Sequence, residues 1–208
     1  HHPGTLAEYV VVPAGNLARV PEGIDLSEAA AFPLATLTAW RMVVTRAAVQ
    51  PGDEVLIWGI GGGVAQQALQ VAKARGARVW VTSGSDDKLE RATALGADEL
   101  LNHSRVDVGR EVRARTGKRG VDVVVGARAA AWAPCPGMRA VVVLDEHDEA
   151  YQEERSPTWH ARDVVIERAR RLGAACALVS PCPTTTALHW AGGDVVDLPA
   201  GRMVAEWP

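Results

Sequence analysis

The chain has 208 residues, of which 48% are hydrophobic and 23% charged, so its composition is that of a folded protein with an ample core rather than a disordered chain. Its formal net charge of -3 argues against a nucleic-acid surface spread over the whole chain, although a local basic patch is compatible with that charge. No apolar run reaches the ~20 residues of a membrane-spanning helix and no signal peptide opens the sequence, which predicts a cytoplasmic protein without a membrane partner.

The three cysteines, Cys135, Cys176 and Cys182, include no Cys-x-x-Cys pair. This spacing predicts incidental thiols, and we expect neither a disulfide framework nor a zinc site in this chain. The first residue is His1 rather than Met, which suggests a fragment or a processed chain.

The N-terminal part, residues 4–22, alternates small and β-branched side chains, and prolines interrupt it. This composition predicts short strands and turns. After Pro33, the spacing of apolar residues predicts a helix that stops before Pro51, with an apolar face formed by Leu37, Trp40, Val44 and Ala48.

The centre of the chain alternates strands with helices. A continuous apolar run at residues 55–58 leads into a glycine turn, a helix that ends near Gly76 and a second strand at residues 79–82. The alternation continues with a helix that ends at Gly96, a strand at 99–101, a helix from Ser104 to Gly117 and a strand at 121–125. It predicts an α/β fold with a doubly wound parallel sheet of the Rossmann type.

Beyond residue 125 the alternation persists but its content changes. Residues 126–137 predict a loop or a broken helix, and residues 140–144 predict a buried strand followed by an acidic segment. The remaining elements are a helix from Ser156-Pro157 to Gly173, a strand at 177–179, a short helix and a strand at 195–198.

The glycine turn has the small residues that a bound pyrophosphate requires, namely Gly59, Gly61, Gly62 and Ala65. Without side chains there, phosphate oxygens approach the backbone N–H groups at the helix N-terminus, where the helix dipole favours negative charge. The alternative is a tight turn that binds nothing. The strand before the turn, the helix after it and the second strand favour dinucleotide binding.

The end of the second strand indicates which dinucleotide is bound. A carboxylate there would accept hydrogen bonds from the ribose 2′-hydroxyl of NAD. This chain instead has Thr82, Ser83, Gly84 and Ser85, with Lys88 one turn further on. Hydroxyls and a cation suit a 2′-phosphate, which favours NADP(H) over NAD(H). The alternative is that Ser85 only caps a helix and that Lys88 is a solvated surface charge.

A family resemblance is carried by two stretches, GTLAEYVVVPAGNLARVPEGIDLSEAAAFPLATLTAW and PGDEVLIWGIGGGVAQQALQVAKARGARVWVTSGSDDKLERATALGADELLN. Over about residues 4–125 the chain resembles the medium-chain dehydrogenase/reductase superfamily, most of all its quinone oxidoreductase and zinc-type alcohol dehydrogenase branches. The resemblance implies pyrophosphate contacts from Gly59, Gly62 and Ala65, adenosine-phosphate contacts from Ser83 and Lys88, and a nicotinamide-side position for Thr38. His103 stands where many members have a tyrosine and is a further candidate contact, with a plain surface residue as the alternative.

The resemblance also implies a division into domains. Residues 1–22 would end a GroES-like catalytic domain, residues 23–125 would form the NAD(P)-binding domain, and residues 126–208 would be a different α/β fragment. In the family, the substrate pocket and any zinc ligands lie in the GroES-like half, so we assign neither zinc chemistry nor a catalytic residue to this chain. A small carbonyl or quinone substrate and a homodimer are implied by the resemblance alone.

A second resemblance begins near residue 121, in VDVVVGARAAAWAPCPG, AVVVLDEHDEAYQEERSPTWHARDVVIERARR and LVSPCPT. These stretches resemble the primosomal replication-restart helicases (primosomal protein N′). The resemblance implies part of a RecA-like domain, with the acidic run Asp145–Asp148 in the place of a motif that holds Mg²⁺ for ATP hydrolysis. Leu144 replaces the first acid of that motif and the sequence has no G-x-x-x-x-G-K-[ST] loop, so an acidic solvated turn is the favoured alternative.

Three interpretations remain open. The first is an NADP(H)-dependent oxidoreductase, represented mainly by its cofactor domain. The second is a DNA-replication protein of the restart-helicase type, with a degenerate motor and DNA as its partner. The third is a chimera of two gene fragments joined near residues 121–126, where one parallel sheet would continue across the join. We favour the third interpretation for the origin of the chain and the first for its chemistry.

Overall fold

Four parallel strands form the main sheet of the computed structural model, which describes residues 8–133, 135, 138, 140–144, 149–179 and 183–192. Strand β1 (Glu54–Trp58) lies between β2 (Arg78–Ser83) and β4 (Val123–Gly126), and β3 (Glu99–Asn102) pairs with the outer side of β2. The register pairs Val55 of β1 with Val79 and with Val123. The apolar run of β1 is buried because a strand lies on each side of it and helices cover both faces.

Helices cover the two faces of this sheet with different side chains. Helices α1 (Leu26–Trp40), α2 (Gly63–Ala74) and α3 (Asp86–Ala94) share one core with Ile57 of β1. Helix α4 (Val108–Arg115) packs on the other face against a core that contains Leu56. Neighbouring residues of β1 enter different cores because successive side chains of a strand point to opposite faces. This arrangement confirms the predicted doubly wound α/β fold.

Helix α1 begins earlier than predicted and includes Pro33. Asp25 caps it, because its carboxylate accepts hydrogen bonds from the N–H groups of Ser27 and Glu28. A π-helical segment, Arg41–Arg46, continues the helix. This wider turn changes the helical periodicity from Arg41 onwards.

The apolar face predicted for this helix is wrong at Leu37 and Trp40, whereas Val44 in the π-helical segment packs against the core as predicted. Leu37 and Trp40 are 50% and 44% exposed, whereas Ala39 and Val43 are fully buried against α2 and the sheet. The short side chain of Ala39 lets the helices approach each other closely.

The short β-rich segment predicted for residues 1–22 is not observed in the residues that are described. Residues 8–22 contain one 3-10 turn, Ala14–Asn16, and their side chains are almost all exposed. A strand requires a neighbour that satisfies its N–H and C=O groups, and the described part of the chain places none beside this segment.

A second, smaller sheet follows the first. Strand β5 (Ala140–Leu144) pairs in parallel with β8 (Ala175–Val179), and between them the chain forms a short antiparallel pair, β6 (Gln152–Glu153) and β7 (Trp159–His160), and then α5 (Ala161–Leu172). The last described element is α6 (Thr185–Ala191). None of the described helices is both long and apolar enough to cross a membrane.

The single sheet expected to continue across residues 121–126 does not form, because β5 is not hydrogen-bonded to β4. A 3-10 helix, Arg128–Trp132, follows β4, and Arg168 of α5 donates hydrogen bonds to the carbonyls of Ala131 and Ala133. These bonds hold α5 against the segment after β4. A cavity of about 640 Å³ lies between the two sheets, lined by Val125 of β4 and Val143 of β5 among others.

Two helix starts also differ from the sequence prediction. Helix α4 is capped by Asp107 rather than Ser104, and α5 is capped by His160 rather than starting at Ser156-Pro157. Asp145–Asp148 and the strand predicted at residues 195–198 lie outside the described residues.

Candidate functional site

The loop from β1 to α2 lies at the carboxyl edge of the main sheet, where open parallel sheets bind their ligands. Gly59 has a φ of +89°, which residues with a side chain rarely adopt, so this turn requires glycine. Thr82 fixes the turn, because its hydroxyl accepts a hydrogen bond from Gly59 N–H at 3.0 Å and its carbonyl accepts one from Ile60 N–H at 2.9 Å. Thr82 is fully buried and therefore supports the turn from within, instead of offering the hydroxyl to a ligand as considered above.

The N-terminus of α2 is exposed and has no side-chain cap. Gly62 occupies the N-cap position in an extended conformation, with Gly61 and Gly63 exposed on either side of it. A Cβ added to Gly62 would meet no atom within 4 Å, so the missing side chain leaves open space above the first N–H groups of the helix. Ala65 packs against the core below the turn. Such an N-terminus is suited to a phosphate group.

Lys88 brings a positive charge to this turn. A Cβ built on Gly61 would lie 3.2 Å from Lys88 Nζ, so the ammonium group of α3 lies directly beside the glycine loop. Lys88 is exposed, and none of the ion pairs within the described residues involves it. The ammonium group and the helix N-terminus therefore favour the same anionic ligand.

The end of β2 presents two serines to the same crevice. Ser83 is 5% exposed, and its hydroxyl accepts a hydrogen bond from Ser85 N–H at 3.1 Å. Ser85 occupies the N-cap position of α3 as predicted, but its side chain makes no capping hydrogen bond. Its hydroxyl is therefore not used by the helix.

His103 follows β3 and closes the crevice on that side. The backbone N–H of His103 donates a hydrogen bond to the carbonyl of Ser83 at 3.1 Å. The imidazole ring of His103 stacks on the indole of Trp58, with ring centroids 6.4 Å apart and ring planes 1° from parallel. A Cβ on Gly84 would lie 3.0 Å from Ser104 Oγ and 3.3 Å from His103 Nε2. The ends of β1, β2 and β3 thus meet at one place.

Thr38 lies on the β4 side of the crevice. It is exposed on α1, lines the cavity together with Gly126, and its hydroxyl donates to the carbonyl of Leu34 at 2.9 Å. The same helix passes near the glycine turn, since a Cβ on Gly63 would lie 3.7 Å from Ala35 Cβ. The other seven predicted contacts lie in the glycine loop, at the starts of α2 and α3, and at the ends of β2 and β3.

The described residues contain no group of three or more His, Cys, Asp or Glu side chains that could hold a metal ion. Sequence reasoning also missed Trp58 and Ser104 as parts of the crevice. A tryptophan directly before a glycine turn was the available signal for Trp58. The contacts of Gly84 and Ser104 depend on how β2 and β3 align, which the sequence pattern does not specify.

Comparisons with known proteins indicate which families this chain is similar to. Residues 63–133 match the sequence profile of the family described as zinc-binding dehydrogenase. Human quinone oxidoreductase is 30% identical over 122 residues, which are 59% of this chain and 37% of that protein. The crystal structure of an NAD-dependent alcohol dehydrogenase is 38% identical, with a TM-score of 0.67 over 85% of this chain and 50% of the other. Quinone oxidoreductase from Thermus thermophilus, also crystallised with NADPH, is 29% identical, with a TM-score of 0.63 over 92% of this chain and 60% of the other.

These similarities support the predicted resemblance to medium-chain dehydrogenases and reductases, and the Rossmann-type fold. The chain spans between 37% and 60% of the length of these three relatives. The alignment over 92% of the chain extends past Val125, so the segment that follows is also part of the similarity. The predicted resemblance to replication-restart helicases receives no support from these relatives.

Proposed function

We propose, on the premise that this chain carries the cofactor region of an oxidoreductase like the medium-chain dehydrogenases and reductases, that its glycine turn binds the pyrophosphate of a nicotinamide dinucleotide. The observation that carries the proposal is the exposed, uncapped start of α2 with Lys88 Nζ beside Gly61. Two phosphates placed there would interact with backbone N–H groups, the helix dipole and one ammonium group. Gly59, Gly62 and Ala65 keep the approach free of large side chains.

We assign NADP(H) as the preferred dinucleotide. Ser83, Ser85 and Lys88 supply hydroxyls and a cation at the end of β2, where a 2′-phosphate would lie, and His103 borders the same place. The complex of the Thermus thermophilus relative with NADPH supports this choice. NAD(H) is the competing candidate, because the relative with 38% identity is an NAD-dependent alcohol dehydrogenase.

The bound cofactor would supply hydride transfer, and this chain would bind and orient it. Thr38 lies on the β4 side, where we place the nicotinamide. Its hydroxyl proton is engaged by the carbonyl of Leu34, so Thr38 would accept a hydrogen bond from the cofactor rather than donate one. A small carbonyl compound or a quinone is the proposed substrate class, and its pocket lies outside the residues we assign.

Titration with NADPH and NADH tests the proposal, with tryptophan fluorescence as the signal. Trp58 borders the crevice, whereas Trp80 is fully buried in the core, so Trp58→Phe identifies the reporter.

The Gly62→Val variant should bind NADPH about tenfold more weakly or worse, because the new side chain blocks the phosphates. Gly15→Val is its matched control, since a Cβ meets nothing within 4 Å at either position. Tighter binding of NADH would overturn the NADP(H) preference, and binding of neither dinucleotide would overturn the proposal as a whole.

A further inference from the structure

Two carboxylates stand at the start of α3, directly after the serines of the crevice. Asp86 and Asp87 are the first two residues of this helix, and Lys88 follows them. Like charges repel across distances shorter than the Debye length. A phosphate bound beside Lys88 would therefore be repelled by either carboxylate if that carboxylate were not neutralised.

Each of these carboxylates has its own cationic partner. Asp87 pairs with Arg91, one turn along α3, at 2.9 Å. Asp86 is held from the β3 side, because Asn102 Nδ2 donates to its Oδ1 at 2.6 Å and Arg105 Nη2 lies 2.6 Å from its Oδ2. Both oxygens of Asp86 are thus engaged by residues at and after the end of β3.

Asn102 also fixes the turn that carries His103. Its Oδ1 accepts a hydrogen bond from Ser104 N–H at 3.0 Å. The same turn places His103 Nε2 and Ser104 Oγ against Gly84. One amide side chain therefore links the start of α3 to the wall of the crevice.

We propose that Asn102 and Arg105 set the selectivity of the crevice for a dinucleotide with a 2′-phosphate. Asn102 is a positioning residue that orients the Asp86 carboxylate and the His103 turn, and Arg105 neutralises Asp86. With both in place, Lys88 determines the sign of the charge beside the glycine loop. Without them, Asp86 would repel the 2′-phosphate of NADP(H) and accept a hydrogen bond from the 2′-hydroxyl of NAD(H). The proposal rests on the dinucleotide site described above and deepens it.

Charge substitutions test this role through the ratio of the two dissociation constants. Arg105→Gln should weaken NADPH binding about threefold to tenfold and leave NADH binding unchanged or tighter, because the exposed Asp86 charge acts on the phosphate alone. Adding Asp86→Asn to Arg105→Gln should restore the wild-type NADPH affinity to within about twofold. Arg113→Gln, which removes a charge near the far end of α4, is the matched control and should leave the ratio unchanged.

The Asn102→Ala variant and the salt dependence separate this role from a merely structural one. Asn102→Ala should also lower NADPH affinity more than NADH affinity. The effect of Arg105→Gln should shrink as salt rises from about 0.05 M to about 0.5 M, since salt screens exposed charges. A loss of both dinucleotides in parallel, or no rescue by Asp86→Asn, would overturn the inference. If the wild-type chain binds NADPH more tightly and no variant changes the ratio, only this inference fails; if it binds neither dinucleotide, the proposed function fails with it.

Discussion

The two sheets of this chain differ in what they bury. The core around β1–β4 contains the large side chains Leu56, Ile57 and Trp80, each at most 1% exposed. After Gly126, the buried side chains are mostly small, with Ala161, Ala169 and Ala187 as examples, while Trp132, Leu172 and Trp190 are 60%, 47% and 41% exposed. Apolar burial contributes about 25 cal/mol per Å². The first sheet therefore supplies most of the stability of the described chain, although both regions alternate strands with helices.

The candidate site also belongs to only one of these two regions, the one that ends at Gly126. Every residue assigned to the dinucleotide comes before Gly126, and the turns that shape the crevice are fixed by hydrogen bonds within the first sheet, such as that from Gly59 to Thr82. A site of this kind needs a rigid support. The difference between the sheets thus indicates that cofactor binding depends on the first region, and substitutions in each region can test this.

The largest expected difference is in the loss of unfolding free energy when a tryptophan of each region, Trp80 or Trp132, is replaced by alanine. Trp80→Ala should lower the free energy of unfolding by about 3–5 kcal/mol, because it leaves a cavity in the core. It also removes the hydrogen bond that the Trp80 indole donates to Glu54. Trp132→Ala should cost about 1 kcal/mol or less, since Trp132 is largely exposed and its main described contact is an edge-on pair with Trp159. Urea denaturation followed by circular dichroism measures both changes, and equal losses would contradict the comparison.

A smaller effect is expected at the end of β4, where the two regions meet. A Cβ on Gly126 would lie 2.8 Å from Ala130 Cβ and 2.9 Å from Trp58 Cβ, closer than such atoms come in proteins. Gly126→Ala should therefore destabilise the fold by about 1–3 kcal/mol. Gly15→Ala is the control, where the added Cβ meets nothing within 4 Å. Thermal unfolding compares the two, and an unchanged midpoint for Gly126→Ala would show that β4 and the following 3-10 helix move apart freely.

The smallest expected effect is on the acid dependence of folding stability, through the carboxyl group of Asp98. Burial would raise the pKa of the Asp98 carboxyl, but hydrogen bonds from Lys73 Nζ and Val79 N–H outweigh it and hold the pKa below its usual range. A carboxyl with a lowered folded-state pKa stabilises the fold above its unfolded pKa, and this contribution is lost as the pH falls through the folded value. We therefore expect the stability difference between wild type and Asp98→Asn to narrow from about pH 4 downwards.

The second region offers the matching acid, Glu167, whose pKa is lowered to about 2 by hydrogen bonds from Arg170 and Arg171. This carboxylate lies at the surface, so Glu167→Gln should change the acid dependence of stability very little despite the lowered pKa of Glu167. Urea midpoints of both variants at several acidic pH values measure the two effects. If the loss of stability at low pH depended on Glu167 rather than on Asp98, the expected difference between the two regions would be contradicted.

The elements of the first region were predictable because their ends carry strong local signals. Buried runs mark the strands, and Gly76 and Gly96, with φ of +80° and +98°, end the two helices that they follow. Cap residues were less predictable. Several polar side chains compete near each helix start, and tertiary position decides between Ser104 and Asp107.

For the site, the glycine turn was predictable, since only small residues suit it. The proximity of Lys88 to Gly61, the stacking of His103 on Trp58 and the hold of Asn102 on Asp86 were not. These contacts join residues from separate strands and helices, and their distances depend on strand register and helix packing. The break between β4 and β5 has the same origin, because apolar composition indicates a strand but not its neighbour.

The position of β4 also bears on the order in which the sheet assembles. A single helix connects β1 to β2, and another connects β2 to β3. In contrast, β4 pairs with β1 only after the whole intervening chain, because the hydrogen-bonded residues Glu54 and Asp122 are 68 residues apart in the sequence. Closing a longer loop costs more chain entropy, and contacts between distant residues form late. We therefore expect the segment from β1 to β3 to form first and the pairing of β4 with β1 to be the slower step.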